Sequence, residues 1–431
     1  MTSIAETSPQ LRGQGGQQGA TVCPPRNPGL RYIFQIGIHT TFNAGHKKRQ
    51  KQHLSRPICT PPPKINKTEA TSVNGLKPSF HFKGVMAPKF DRANMKYRFL
   101  GPTGLRVSEI SLGSWITFGG QVKKEDSLAF FREAWTHGIN FFDSAEGYLE
   151  GKGEESLGMA FKELGWDRSD FVVVTKIYWG GSGPNDVGLS RKHILEGTAK
   201  SLKRLQLDYV DVIMAHRCDP ATPMEEIVRA FTHLINTGRA LYWGTSEWSA
   251  QEIESAHSVA KNLGLIAPIC DQPQYNMFTR SRVEQEYLPL YEKYGYGLTI
   301  WSPLASGILS GKYNDFNVPE DSRLAIKEDQ FMVAFKEKLS TPEGRAEIEK
   351  VKKAGEIAKA LECSMSQLAI AWCLKNKRVS SVITGASKTS QIAENVKAVQ
   401  IVDKITEEQM KQIDEIMGNK PSGVEYFGRD H

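Results

Sequence analysis

From Met95 onward the chain repeats one unit, a short apolar run ending on a polar residue and then a longer amphipathic stretch. The runs Ile110–Trp115, Ile139–Asp143, Phe171–Lys176, Tyr209–His216, Leu241–Ser246, Ile269–Tyr275, Gly297–Ser302 and Ser381–Gly385 have the length and composition of buried strands. Helical spacing of apolar residues occupies the intervals between them, in Ser127–Thr136, Glu154–Leu164, Arg191–Leu205, Met224–Thr237, Ala250–Asn262, Val283–Lys293 and Ser366–Lys375. A last helix, Thr389–Val399, follows the eighth strand. Parallel strands need long crossovers, and a helix after each strand supplies them. Eight such units in about 300 residues predict an α/β fold of the (β/α)8 barrel type.

The rival is an open, doubly wound sheet, which would carry a Gly-rich fingerprint after its first strand. Here that position reads Trp115-Ile116-Thr117-Phe118-Gly119-Gly120-Gln121, without the fingerprint. The nearest approach to a phosphate loop, Gly307 to Gly311-Lys312, is one residue short of the required spacing. The barrel is therefore expected over 95–420. It is preceded by a small hairpin, because Met95 to Ser108 reads as two short strands around a Gly/Pro turn. Residues 421–431 are a tail.

Residues 1–85 differ in kind. They hold a Gly/Gln cluster, the run Pro61-Pro62-Pro63 and the basic stretch Lys47 to Lys51, a composition expected to be disordered. Their 12 Lys and Arg face only Glu6 and Glu69, so they account for the whole of the +7 formal charge. The remainder carries a slight acidic excess, and an anionic partner such as nucleic acid is not expected. Either the segment is a regulatory tail or translation starts at Met86. No run of about 18 apolar residues predicts a membrane span. Six cysteines without a CxxC pair suit a reducing compartment, taken to be the cytoplasm. No metal site is expected.

In parallel barrels, chemistry sits where strands end and the following loops begin. Strand two ends on Asp143, with Tyr148 five residues on; strand three ends on Lys176 and strand four on His216. Each has a bland explanation: Asp143 as a cap, His216 as a packed histidine, Tyr148 as a loop aromatic. Lys176 is harder to dismiss, since a lysine closing an apolar strand must meet an anion. Together the four suit carbonyl reduction. A phenol is a poor acid at neutral pH, and a nearby ammonium held by a carboxylate would lower its pKa. A neutral histidine could then orient the carbonyl and donate to the developing alkoxide.

Phe142-Asp143-Ser144-Ala145-Glu146-Gly147-Tyr148, with Lys176 and His216, resembles the catalytic tetrad of the aldo-keto reductases. Several further runs resemble the branch that forms β subunits of voltage-gated potassium channels. They are Gly113 to Gln121, Tyr242 to Ser246, Trp301 to Gly307, Gly311 to Tyr313 and Gly385 to Asn395. The resemblance implies NADPH as cofactor, a small carbonyl compound as substrate and Tyr148 as proton donor. It also implies cofactor contacts from Ser114, Trp115 and Gln121 after strand one, and from Ser246 and Gln272 at the nicotinamide carboxamide. Ser302, Leu304 and Ser306, with Lys312, would meet the pyrophosphate, and Trp301, Pro303 and Ala305 would be further cofactor contacts. Arg323 and Ser387, with Lys388, would lie at the 2′-phosphate, with Gln391, Glu394 and Asn395 around the adenosine and Gly385 as a further cofactor contact.

The same resemblance implies a second role, a redox-sensing auxiliary subunit that forms a homotetramer on a potassium channel. Animal channel subunits carry Asn where this chain has His216, which favours a working reductase. Glu247 is another departure: many relatives have Asn there and the animal subunits have Arg. As a carboxylate it is expected to turn away from the carboxamide. Residues 314–350, which include Arg323, are expected to form a flap over the pyrophosphate. Substrate choice is expected to lie there and at Trp115, Tyr178, Trp179 and Trp248.

Overall fold

The structure, a computed structural model, describes residues 90–115, Val122, 126–320, 322–326 and 330–423. The expected basic extension, Gln121 and most of the tail lie outside the described residues. The hairpin of β1 (Tyr97–Phe99) and β2 (Arg106–Ser108) comes first. Then follow β3 (Ile110–Gly113), α1 (Ser127–Thr136), β4 (Phe141–Asp143), α2 (Lys152–Leu164), β5 (Val172–Ile177) and α3 (Arg191–Leu205). The alternation continues through β6 (Val210–Ala215), α4 (Met224–Asn236), β7 (Ala240–Thr245), α5 (Ala250–Leu263), β8 (Cys270–Asp271) and α6 (Leu288–Tyr294). After β9 (Gly297–Ile300) come α7 (Gln330–Lys338), α8 (Pro342–Ala360) and α9 (Met365–Lys375). Finally β10 (Val379–Thr384) leads to α10 (Thr389–Val396), α11 (Ala398–Ile401) and α12 (Glu407–Met417).

Strands β3 to β10 are parallel and close on themselves, β10 pairing with both β9 and β3. This is the (β/α)8 barrel that the alternation predicts. Side chains in a strand alternate between its faces, and the two apolar clusters follow that rule. Phe141, Val172, Val174, Val212, Met214 and Cys270 fill the barrel interior. Their sequence neighbours Phe142, Val173, Ile213 and Ala215 face the helices instead. Leu100 and Val107 of the hairpin pack into the interior cluster and are fully buried, so β1 and β2 plug the amino-terminal end. The cost of exposing these side chains is what fixes each strand's register.

Three expectations are corrected. The sixth strand, expected over Ile269–Tyr275, is reduced to Cys270–Asp271, because Pro268 and Pro273 cannot donate to a ladder. The helix expected at Val283–Lys293 is broken into a π-helical turn, Arg282–Glu286, and α6, which starts beside Pro289. The expected flap over 314–350 is divided: its second half holds α7 and the start of α8, and α8 packs against α9 and α12. Thr341 caps α8 by accepting from the Gly344 N–H, and Pro342 occupies its first turn. Those start signals and the buried Ile348, Val351, Ala354 and Ala358 were available in the sequence.

Asp271 faces outward from β8 but is fully buried, and burial pushes its carboxyl up to about 7. Between its ordinary value and that value the folded chain keeps a proton that the unfolded chain has released. Its contribution to stability therefore falls as pH rises from about 4 to about 7. Urea unfolding across that range should show wild type losing stability and Asp271→Asn losing less. Parallel pH profiles for the two proteins would contradict this origin.

Candidate active site

The same two-residue alternation builds the site. Continuing the inward positions Phe141, Val174, Met214 and Cys270 by one step reaches Asp143, Lys176, His216 and Gln272. Four strands that present apolar side chains to the interior thus end on polar ones, one layer above the core. Among them Lys176 is wholly buried, and its ammonium has three acceptors. It donates to Asp143 Oδ2 at 2.7 Å, to the Ser144 carbonyl at 2.7 Å and to the Tyr148 hydroxyl at 3.1 Å. Gln272 Nε2 donates to the other oxygen of Asp143 at 2.9 Å. Ser246, at the end of β7, donates to the Gln272 carbonyl at 2.9 Å. One carboxylate thereby joins the ends of three strands.

Burial raises the pKa of Tyr148, and the opposing pull of Lys176 does not cancel it. Here the sequence-based expectation is reversed: Lys176 does favour phenolate, but desolvation is the larger effect. The residue is only half-buried and lines the cavity. For Lys176, burial opposes the charge, yet Asp143 and then Tyr148 outweigh it and the ammonium is held more firmly than usual. Burial, and then the cations of Lys176 and Arg217, keep His216 well below the usual histidine range. Its ring stands edge-on between Tyr148 and Trp179, with centroids 5.5 and 4.7 Å away. The buried Nδ1 of His216 has no hydrogen-bond partner.

A cavity of about 660 Å³ opens above this layer, within the usual range for ligand sites. Its lining includes the strand-end residues Asp143, Tyr148, His216, Ser246 and Gln272. Trp301, Ser302, Pro303, Leu304, Ser306 and Lys312 line it from β9 and the loop that follows. Arg323, Gly385, Ser387, Gln391, Glu394 and Asn395 also line it, and Trp115 lies under the Arg323 guanidinium at 5.7 Å. After β9 the backbone turns through positive φ at Ser302, Ala305, Ser306 and Gly307, conformations that cost energy outside glycine and recur at ligand sites. Gln391 accepts from the Ser387 N–H at 2.8 Å and so caps α10 while facing the cavity.

Some expected residues lie elsewhere. Ser114 is buried beneath the cavity wall, its hydroxyl donating to Ser144 Oγ at 2.9 Å, and Ala305 is buried behind the β9 loop. Trp248, expected near the substrate, is fully buried in the helix-facing core. Glu247 turns away as expected. Oε1 accepts from the Gln274 N–H and from Trp301 Nε1, and Oε2 pairs with Arg282 at 2.6 Å. One residue that the strand-end reading missed is Glu146. Its buried carboxylate accepts from the Tyr178 N–H at 2.7 Å and meets His193 Nε2 at 2.9 Å, which fixes the loop carrying Trp179. Its place two residues before Tyr148, where β4 gives way to a loop, was the available signal.

A family model described as aldo/keto reductase family matches residues 109–417, and the chain belongs to that family. It is 53% identical over 340 residues to a putative voltage-gated potassium channel subunit beta of Schizosaccharomyces pombe, covering 78% of this chain and 97% of that one. Probable voltage-gated potassium channel subunits beta of Oryza sativa subsp. japonica and Arabidopsis thaliana are 51% and 50% identical over 333 residues. Each match covers 77% of this chain and 100% of the relative. Among the described residues no helix is long and apolar enough to cross a membrane.

Removing one partner of a buried ion pair leaves the other charge uncompensated, at a cost of about 3–5 kcal/mol. Lys176→Met should lose stability on that scale in urea unfolding, and Lys176→Met with Asp143→Leu should recover much of it. A double variant as unstable as the sum of its parts would contradict the pairing as the source of the cost.

Proposed function

We propose that the protein reduces aldehydes and ketones to alcohols with NADPH, using Tyr148 as proton donor. The observation that carries this reading is the Lys176 ammonium joining Asp143 to the Tyr148 hydroxyl, two residues that line the cavity. NADPH fits the donor set. Ser246 and Gln272 suit its carboxamide, the β9 loop and Lys312 suit the pyrophosphate, and Arg323 with Ser387 suits the 2′-phosphate. Gln391, Glu394 and Asn395 suit the adenosine. Bound there, the cofactor supplies a hydride to the carbonyl carbon.

The chain's own groups handle the proton. Tyr148 gives its hydroxyl proton to the carbonyl oxygen, and its raised pKa keeps that proton in place until the substrate arrives. Lys176, fixed by Asp143, then stabilises the phenolate that remains. His216 stays neutral and orients the carbonyl oxygen by hydrogen bonding. Tyr148→Phe should lower kcat by about 10²–10⁴-fold, the usual size of a general-acid contribution, while NADPH still quenches tryptophan fluorescence. Unchanged turnover would remove Tyr148 from this role. Rates should also show no histidine titration between about pH 6 and about pH 8, because a neutral His216 has no proton to lose there.

The names of the relatives support a second reading, an auxiliary subunit of a voltage-gated potassium channel; a homotetramer in the cytoplasm is part of that proposal. The two readings are compatible. Fourfold mass in light scattering and co-purification with a channel α subunit are the expected results; a monomer that captures no channel would overturn this one.

A further inference from the structure

Among the described residues, five arginines that are buried or partly buried are paired with carboxylates, and Arg217 at the cavity mouth differs from these. Arg98 pairs with Glu109, Arg168 with Asp211, Arg204 with Glu154, Arg280 with Glu284, and Arg282 with Glu247. Arg217 is also partly buried and lines the cavity, yet no carboxylate among the described residues pairs with it. Its contacts are all neutral. Nη1 donates to the His216 carbonyl at 2.5 Å and approaches Ser246 Oγ at 3.4 Å, and the guanidinium lies 5.4 Å from the Trp179 ring centroid. A half-desolvated cation with spare donors is costly unless something anionic completes it.

The neighbourhood says where that anion would sit. Arg217 directly follows His216, whose ring touches both Tyr148 and Trp179, so the guanidinium lies one side chain away from the position of the reacting carbonyl. Trp179 is 43% exposed, a large share for an indole, and it gives the mouth an apolar wall beside the cation. An indole face backing a guanidinium leaves the edge of the fork open, and that edge matches a carboxylate in bidentate fashion.

We propose that Arg217 recognises a carboxylate on the substrate, and that the preferred substrates are aldehyde acids whose carbon skeleton packs on Trp179. The proposal rests on the carbonyl-reductase reading. The reaction it modifies is balanced as before: the carbonyl carbon takes the hydride, the oxygen takes the proton, and the carboxylate is unchanged.

The test compares 4-formylbenzoate with its methyl ester, which share ring and aldehyde but differ in charge. For wild type, Arg217→Gln and Arg217→Lys, the acid-to-ester ratio of kcat/KM is measured. Intrinsic reactivity cancels when ratios are compared between proteins. Loss of a charge-assisted hydrogen bond predicts a ratio lower by about tenfold or more in Arg217→Gln, with much of it kept in Arg217→Lys. A second arm titrates both compounds into the NADP⁺-loaded proteins and reads binding alone, which needs no turnover. Equal ratios in wild type and Arg217→Gln in both arms would overturn the proposal. So would a loss of NADPH affinity in Arg217→Gln that lowers acid and ester alike, since Arg217 would then serve the cofactor. An intact charge preference in the binding arm, together with unchanged turnover in Tyr148→Phe, would instead sink the reductase reading and leave Arg217 as an anion site.

Discussion

A lysine inside a barrel has to be solved before anything else at that level can be built. The Lys176 ammonium sits with no exposed surface on top of a core of Val174, Met214 and Cys270. Such a charge is tolerable only when acceptors meet each of its protons and one of them is an anion. Asp143, the Ser144 carbonyl and Tyr148 meet that demand and converge from one loop and one neighbouring strand. Asp143 in turn draws Gln272 across the barrel, and Ser246 follows through the Gln272 carbonyl. The geometry of the mouth thus descends from the need to satisfy one cation.

This is also why so much was legible in the sequence. Strand period and strand end are both local signals, and together they say that Asp143, Lys176 and His216 share a face and a height. The barrel followed from the repetition of such signals, and the helices Ser127–Thr136 and Arg191–Leu205 were legible to the residue because the apolar spacing marks them. What escaped is what depends on several elements at once. Trp248 reads as a mouth residue from its position after β7, but the chain turns through positive φ at Glu247 and sends it into the core. The balance at Tyr148 needed the depth of its hydroxyl, which no spacing reveals. The start of α8 was hidden for a simpler reason, since Thr341 and Pro342 lie inside a charged stretch that reads as a loop.

Charge around the mouth is distributed with a clear division. Glu247 is tied to Arg282, Gln274 and Trp301, so its negative charge is spent on bracing the ends of β7 and β9. Arg217 stands on the other side of Ser246 without such a counter-charge, and its field reaches both His216 and Tyr148. Lys176 and Arg217, contributed by two neighbouring strands, therefore both press on the imidazole of His216.

The hairpin at the opposite end gives this arrangement a direction. Leu100 and Val107 pack into the interior cluster and fill the amino-terminal end, while the cavity lies at the opposite end, where Asp143, Tyr148 and His216 line it. A pair of three-residue strands far from Lys176 thus closes off the core on which the whole mouth is built.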